Sequence, residues 1–380
     1  MKAIKNVNII LPDRIINNGA LIFSEKIKAV NSFFLEKDYS ELEIIDGGGA
    51  YLSPGFINIH IHGAGGMDTM EATTVSLDKI SQTIIKDGVT SYLPTTMTMK
   101  LDNIFQALDN VKNYLNKSTT GAQVLGVHLE GPFINEAKKG AQSAEYIINP
   151  SLEIFVDYLD IIKIMTLAVE KEGALELIEK IHQRGIIGSL GHSEAEYEEV
   201  MTAQNHGLSL ITHLYNAMSG LHHRKPGIVG AALNSDIKCE IIADGIHIDP
   251  AVIELTTKIK TAEQLILVTD AMEASGLDEG EYNLGGQKVT VENGSARLKN
   301  GTLAGSVLTM DQAVRNMLKF SNLELPEVIR MATLNPARLL NLDYKIGQIK
   351  VGKQADFVLL DRNLRVKEVY LKGKSQNIQK

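Results

Sequence analysis

With 380 residues, 44% of them hydrophobic, the chain can bury a large core and is long enough for one large α/β domain or two smaller ones. Its net charge of −8 and the lack of a Lys/Arg-rich tract argue against nucleic acid as a partner. No 18-residue apolar run and no apolar signal region is found, so we expect a cytoplasmic protein without a membrane partner. The single cysteine, Cys239, excludes an internal disulfide and a multi-cysteine zinc site, so a metal would have His and carboxylate ligands.

Both ends of the chain carry short strand patterns separated by turn residues. The N-terminal strand candidates are Ala3–Leu11, Gly19–Phe23, Lys26–Val30 and Leu42–Asp46. Residues 352–361 and 366–372 repeat the pattern of strand, turn and strand near the C-terminus. These pieces predict one small β-domain built from both termini and interrupted by a central domain.

Between the termini, strands alternate with stretches of helical periodicity. The eight predicted strands are Gly55–His62, Ser91–Thr96, Val124–Glu130, Ile161–Val169, Gly185–His192, Leu208–Asn216, Glu240–Asp244 and Leu265–Asp270. Helical patterns include Leu77–Asp87, Asp102–Leu115, Gly173–Arg184 and Ala195–His206. Neither a dinucleotide-binding nor a phosphate-loop glycine motif is present, and eight strand–helix units predict a closed parallel (β/α)8 barrel.

Polar side chains are placed at the ends of several of these strands. His60 and His62 lie two residues apart on the first strand, so both side chains face the same way and could chelate one divalent ion. A lone pair of this kind also arises by chance on an exposed strand, and the prediction therefore depends on further ligands. The other strand-end residues are Glu130, His192, His213 and Asp270. Because the carboxyl ends of barrel strands form one mouth, we expect all six side chains to meet there.

The same residues occur in motifs that resemble the amidohydrolase superfamily, and within it the deacetylases of phosphorylated amino sugars. The motifs are Pro54–His62, His128–Phe133, Gly191–Ser193, Thr212–Met218, Thr269–Met272, Leu303–Ser306, Asn335–Ala337 and Gly352–Asp356. The resemblance covers nearly the whole chain. It implies a (β/α)8 barrel over residues 53–344 and a small β-sandwich formed from residues 1–52 and 345–380.

The resemblance also implies an activity and a metal. The expected enzyme removes the acetyl group from N-acetyl-D-glucosamine 6-phosphate, giving acetate and glucosamine 6-phosphate, in amino-sugar catabolism and cell-wall recycling. One or two zinc or iron ions per subunit would be held by His60, His62, Glu130, His192 and His213. Glu130 would take the place of the modified lysine of other superfamily members. A carboxylate beside the ion can move a proton from water to the leaving amine, which makes Asp270 the expected catalytic residue.

Six further positions resemble those that contact the sugar and its phosphate in the family. They are Ala141, Asn216, Ala217, His223, Arg224 and His247. Arg224 has the strongest physical basis because a guanidinium matches a phosphate with two parallel hydrogen bonds, and His223 could contribute across the interface of a homodimer. Asn58 stands where the family usually has Asp, and Lys225 where an acidic residue is common. We expect Asn58 to support a ligand rather than bind the ion.

Two alternatives stay open from the sequence alone. The substrate could be N-acetylgalactosamine 6-phosphate or another N-acyl compound, because loop contacts decide between two epimers. More remotely, the chain could be a non-catalytic barrel that acts in assembly, although it retains all six strand-end residues.

Overall fold

The computed structural model describes residues 1–30, 42–115, 117, 121–376 and 378. The chain opens with strands β1 (Lys2–Ile10), β2 (Ile15–Phe23), β3 (Ile27–Val30) and β4 (Glu43–Pro54). Strand β4 is longer than the predicted Leu42–Asp46, because it continues through three glycines. The register against β1 shifts there, from Lys5 opposite Asp46 to Val7 opposite Ala50. Glycines 48 and 49 have positive φ angles of 60° and 76°, which allows the strand to bulge and then resume pairing.

The middle of the chain forms parallel strands. The parallel strands are β5 (Phe56–Ile61), β8 (Val89–Pro94), β9 (Gln123–Val124), β10 (Val127–Glu130), β11 (Ile162–Leu167), β12 (Ile187–Leu190), β13 (Leu208–Ile211), β14 (Lys238–Ile242) and β15 (Leu265–Val268). A short antiparallel pair, β6 (Gly63–Ala64) and β7 (Met67–Asp68), follows β5. Strands β5, β8 and β9 form one parallel sheet, and β10 to β15 form another in chain order. Every residue of β5, β8 and β15 is buried, as expected for strands covered on both faces.

The two parallel sheets contact each other at both of their edges. On one side, a parallel bridge joins Thr95 to His128. On the other, a bridge joins Ile61 to Ala271, and the Asp270 N–H donates to the His60 carbonyl at 3.0 Å. The parallel strands therefore curl around a common interior, with the carboxyl ends of β5, β10 and β15 at the same end.

Helices connect these strands and cover their outer faces. They are α1 (Thr74–Ile84), α2 (Leu101–Tyr114), α3 (Ala174–His182), α4 (Tyr197–Asn205), α5 (Gly227–Leu233), α6 (Pro250–Ile259), α7 (Met310–Phe320), α8 (Leu325–Met331) and α9 (Leu334–Leu339). The predicted helices correspond to α1 to α4, with ends displaced by a few residues. Helix α1 begins earlier than predicted because the Thr73 hydroxyl caps it by accepting from the Ser76 N–H at 3.0 Å. Within the described residues, no helix combines the length and apolar character needed to cross a membrane.

A three-stranded antiparallel sheet follows the last parallel strand and was not predicted. It consists of β16 (Gly280–Leu284), β17 (Gln287–Glu292) and β18 (Ser295–Leu298). Its buried side chains share an apolar cluster with Met97, Ala141 and Met272, which lie beside the carboxyl ends of the parallel strands. This small sheet therefore forms one wall of the mouth.

Strands from both ends of the chain pair in one sheet, which we call the terminal sheet. The C-terminal strands are β19 (Phe357–Leu360), β20 (Val366–Leu371) and β21 (Lys374–Ser375). The order is β21-β20-β19-β4-β1-β2-β3, with β1 and β4 parallel and the other neighbours antiparallel. Rings of Phe23, Phe357 and Tyr370 pack together with centroids 4.5 to 5.5 Å apart. Aromatic packing of this kind ties the two termini together.

Candidate metal centre

The five residues predicted as metal ligands and the predicted catalytic residue Asp270 converge at one end of the parallel strands. His60 lies in β5 and Glu130 is the last residue of β10, whereas the others follow the ends of β5, β12, β13 and β15. All six side chains are buried: His60, His62, Glu130, His192, His213 and Asp270. The stretch from His60 to Asp270 thus brings ligand-forming groups from five different strands into one pocket.

The first ligand group consists of Glu130, His192 and His213. The Nε2 atoms of both histidines lie 3.2 Å from Glu130 Oε1. The two Nε2 atoms are 3.1 Å apart. Three ligand atoms at these separations can surround one small cation and leave a position open, which is the arrangement of catalytic zinc sites.

The second ligand group consists of His60, His62 and Asp270. Asp270 Oδ1 lies 3.1 Å from His62 Nε2 and 3.4 Å from His60 Nε2. Glu130 also reaches this group, since its Oε1 is 3.5 Å from His60 Nε2 and its Oε2 is 3.4 Å from His62 Nε2. The Glu130 carboxylate therefore stands between the two groups, and Asp270 is close enough to touch an ion held by the histidine pair.

The hydrogen bonds around these residues fit divalent ions. His192 Nδ1 donates to the Lys138 carbonyl at 2.8 Å, and His60 Nδ1 donates to Glu240 at 2.9 Å. A donating Nδ1 leaves Nε2 with a lone pair, which is what a metal requires. Within the described chain, the buried Nε2 atom of His60 has no hydrogen-bond partner. A cation at this point would satisfy an atom that is otherwise isolated.

The charges of the pocket also favour a cation. Burial alone would lower the pKa of His60, but the surrounding carboxylates, led by Asp270, raise it to about 9. The pKa of His62 is raised for the same reason. Burial would raise the pKa values of Glu130 and Asp270, but the neighbouring histidines hold both well below their usual range. The pocket thus keeps its carboxylates ionised and attracts positive charge, which divalent ions would supply in place of protons.

Three of the ligand-forming residues have a strained backbone. His192, His213 and Asp270 have φ angles of 50°, 33° and 48°, in the left-handed region that residues with a side chain rarely adopt. Each such residue costs on the order of 1–3 kcal/mol, and such strain is concentrated at functional sites. The chain turns sharply after each strand, and this turn directs the side chain into the pocket.

Sequence reasoning missed two buried residues that contact the ligand groups. Glu240 in β14 accepts from His60 Nδ1 and from the backbone N–H of His213, at 2.9 and 3.1 Å. Gln142 Nε2 donates to Glu130 Oε2 at 3.0 Å. A carboxylate within the apolar run of β14 was the available signal for Glu240. No pattern in the sequence marks Gln142.

Two other polar residues, Asn58 and His128, lie directly behind His60: Asn58 Oδ1 accepts from the His60 backbone N–H at 3.3 Å, and the His128 ring lies 4.6 Å from that of His60. Asn58 Nδ2 donates to Thr269 Oγ1 at 2.8 Å, so Asn58 links two neighbouring strands from a supporting position. His128 lies two residues before Glu130 on β10, so the two side chains point to the same face of the strand. Its Nε2 instead contacts Thr166 Oγ1 at 2.7 Å, and its buried ring has a pKa lowered by burial to about 4.

Four of the six predicted substrate-binding residues line the same cavity as the ligand groups. The cavity has a volume of about 510 Å³, and its lining includes Ala141, Asn216, Ala217 and His247. The exposed Arg224 and His223 do not line it, and Arg224 Nη1 contacts His223 Nε2 at 2.7 Å. These two residues lie in the loop before α5, outside the cavity that the ligand groups line.

His247 is held at the cavity wall by Asp244. The two side chains are buried and are joined by a contact of 2.6 Å between His247 Nδ1 and Asp244 Oδ2. Asp244 also accepts from the backbone N–H groups of Ile246 and His247 at 2.8 Å. His247 therefore keeps its Nε2 atom available for a ligand in the cavity.

The curled parallel strands and the histidine–carboxylate pocket define a class of metal-dependent hydrolases. The profile of the Amidohydrolase family matches residues 51–375, and the chain belongs to this family. An N-acetylglucosamine-6-phosphate deacetylase of Lysinibacillus sphaericus is 42% identical over 87% of this chain and 86% of the relative. An N-acetylgalactosamine-6-phosphate deacetylase of Escherichia coli O157:H7 is 39% identical over 85% of this chain and 86% of the relative.

A solved structure agrees with these relatives. The N-acetylglucosamine-6-phosphate deacetylase from Pasteurella multocida superimposes with a TM-score of 0.94 and is 35% identical, with 99% of both chains covered. The small three-stranded sheet and the terminal sheet are included in this superposition, since nearly the whole chain is covered.

Proposed function

We propose that this chain hydrolyses N-acetyl-D-glucosamine 6-phosphate to glucosamine 6-phosphate and acetate, in amino-sugar catabolism and cell-wall recycling. The observation that carries the proposal is the pair of ligand groups opening into a cavity that Asn216, Ala217 and His247 also line. The named relatives support the same substrate. The presence of both ligand groups argues against the alternative of a non-catalytic barrel.

The ions proposed for the site are zinc or iron. Glu130, His192 and His213 would hold one ion, and His60 and His62 a second, with Glu130 between them. When bound, such an ion lowers the pKa of a coordinated water and polarises the amide carbonyl. Nitrogen and carboxylate oxygen ligands without cysteine suit either metal.

Asp270 is proposed to move the proton. Its carboxylate lines the cavity and lies 3.1 Å from His62 Nε2. Its pKa is held low by the neighbouring histidines despite burial, so it is ionised, which is the form of a carboxylate that accepts a proton. It would then protonate the amine nitrogen, which leaves poorly without a proton.

Phosphate recognition is proposed to involve His247, His223 and Arg224. His247 lines the cavity of its own chain, but the exposed His223 and Arg224 do not line it. We therefore propose a homodimer in which these two residues reach the cavity of the other subunit. A guanidinium and an imidazole together match the charge of a phosphate.

Two structural proposals accompany the function. The contacts at both edges of the parallel sheets support one closed (β/α)8 barrel over residues 53–344. The terminal sheet would belong to a small β-sandwich domain formed from residues 1–52 and 345–380. A cytoplasmic location is also proposed, because a phosphorylated sugar does not cross membranes unaided.

N-acetylgalactosamine 6-phosphate is the second candidate substrate. The relative from Escherichia coli O157:H7, which is named for that sugar, is 39% identical to this chain. The relative from Lysinibacillus sphaericus, which is named for N-acetylglucosamine 6-phosphate, is 42% identical. The test is acetate release from both sugar phosphates, combined with elemental analysis of the purified protein. We expect faster turnover of N-acetylglucosamine 6-phosphate than of N-acetylgalactosamine 6-phosphate, and at least one transition metal ion per chain. No bound metal together with full activity in chelator would contradict the proposal.

A further inference from the structure

Glu240 is a buried carboxylate to which the proposed reaction assigns no role. Its side chain is fully buried in β14, between Cys239 and Ile241. Removing a carboxylate from water is costly unless it is paired, and an apolar side chain at this place would avoid that cost. The reason for a carboxylate must therefore lie in what it contacts.

Both hydrogen bonds of the Glu240 carboxylate are to residues of the ligand groups. Oε2 accepts from His60 Nδ1 at 2.9 Å and from the His213 backbone N–H at 3.1 Å. The described residues place no hydrogen-bond partner at Oε1. The bond to His60 keeps the proton on Nδ1 and leaves Nε2 facing Asp270 Oδ1 at 3.4 Å. Glu240 thus selects the tautomer of His60 that can bind an ion.

The other ligand histidines are supported differently. His192 donates from Nδ1 to a neutral backbone carbonyl, that of Lys138, at 2.8 Å. His62 Nδ1 has the carbonyl of Thr95 at 3.3 Å. Only His60, among the described ligand histidines, has a carboxylate behind it. The additional negative charge therefore acts on the second ligand group, where His60 lies.

We infer that Glu240 is a positioning residue that determines whether an ion binds at His60 and His62. It does so by fixing the His60 tautomer and by adding a negative charge directly behind the ring. The inference rests on the proposed metal-dependent function, because it needs a metal at the mouth. It does not require that Glu240 touch the ion, the substrate or the reacting water.

The experiment measures metal content and affinity for the wild type, Glu240→Gln, His60→Asn and the double variant. Asp356→Asn is the control, because Asp356 is a buried carboxylate in the loop before β19 of the terminal sheet. Stripped proteins are titrated with zinc against a competing chelator, and ions per chain are counted by elemental analysis. Thermal unfolding of the stripped proteins is recorded in parallel to show that each variant folds.

We expect two ions in the wild type and in Asp356→Asn. Glu240→Gln should keep the tighter ion with unchanged affinity and bind the weaker one about 10–100-fold less tightly, the usual effect of losing a partner behind a metal-bound histidine. The double variant should lose no more than His60→Asn alone, because both changes act on the same ion.

Each other outcome has a distinct meaning. Two ions at wild-type affinity in Glu240→Gln would overturn the inference, as would equal weakening of both ions with a lower melting temperature of the stripped protein. A wild type that binds a single ion would also overturn it, while leaving the proposed deacetylase intact. A wild type that binds no metal and is active in chelator would instead overturn the proposed function.

Discussion

Carboxylates are buried both in the mouth of the parallel strands and beside the terminal sheet, but their surroundings shift the carboxylate pKa in opposite directions. In the mouth, histidines around Glu130 and Asp270 outweigh burial and hold both pKa values well below the usual range. In the terminal sheet, burial prevails at Asp356 and raises its pKa to about 6. Among the described residues, the Asp356 carboxylate accepts hydrogen bonds from the Lys372 N–H and the Gln354 amide, at 2.7 and 2.5 Å.

This difference distinguishes a functional carboxylate from a structural one. Ionised buried carboxylates among histidine nitrogens are prepared for a cation and for proton transfer. A carboxylate whose pKa is raised by burial, and whose oxygens accept only from backbone and amide N–H groups, serves as a hydrogen-bond acceptor in the fold. Burial alone does not separate the two kinds, because Glu130 and Asp356 are 2% and 6% exposed.

The largest effect is expected for Glu130→Gln, because this carboxylate stands between both ligand groups. The variant should lose both ions and reduce kcat by more than about a thousandfold, since the water and the carbonyl would lose their activation. Elemental analysis and acetate release measure the two effects. If the variant retained its ions and its turnover, Glu130 would belong with Asp356 among the structural carboxylates.

Asp270→Asn should have the next largest effect. The amide keeps the shape of the side chain but cannot accept the proton, so kcat should fall by at least about a hundredfold. Folding and substrate binding should survive, and at least the ion at Glu130, His192 and His213 should remain. Normal turnover of the variant would show that a group other than Asp270 transfers the proton. Loss of the second ion would assign Asp270 to the ligands as well, as its 3.1 Å distance to His62 Nε2 allows.

Arg224→Ala tests whether phosphate binding in the mouth depends on Arg224, which does not line the cavity of its own chain. We expect KM for the phosphorylated sugar to rise about 10–100-fold, the scale of a lost charge-assisted hydrogen bond, with little change for unphosphorylated N-acetylglucosamine. The neighbouring, equally exposed Lys225→Ala is the matched control. Equal losses on both sugars would show that Arg224 has a structural role.

The smallest effect is expected for Asp356→Asn, and it concerns stability rather than activity. The folded pKa of about 6 lies above the usual value of 3.8, so the folded chain holds this proton more tightly than the unfolded chain. The stabilising contribution of the protonated form is complete below about pH 4 and is lost as pH rises through 6. At pH 7 the neutral amide should therefore raise the unfolding free energy by about 1–2 kcal/mol.

Denaturant unfolding at pH 7 and pH 4 measures this difference. The gain should vanish at the lower pH, where wild-type Asp356 is protonated as well, and deacetylation should be unchanged. A gain that is the same at both pH values would mean that packing, and not the charge, separates the variant from the wild type. The contrast between the two regions would then lose its electrostatic basis.

The sequence by itself determined the alternation of strands and helices and the residues at the strand ends. Apolar runs of period two or of continuous β-branched residues, interrupted by polar side chains at their ends, are local patterns, so His60, His192 and Asp270 could be recognised without coordinates. The three-stranded sheet β16–β18 was missed because its strands are short and largely exposed, with only a few buried side chains each.

Only the tertiary structure decided which distant residues contact each other. Glu240 and His60 are 180 residues apart, and their hydrogen bond depends on how the strands curl and on the register between them. The register of one strand against another is set by packing over the whole sheet, which no local pattern reports. The sequence likewise did not show that Arg224 lies on the exposed loop before α5, outside the cavity of its own chain.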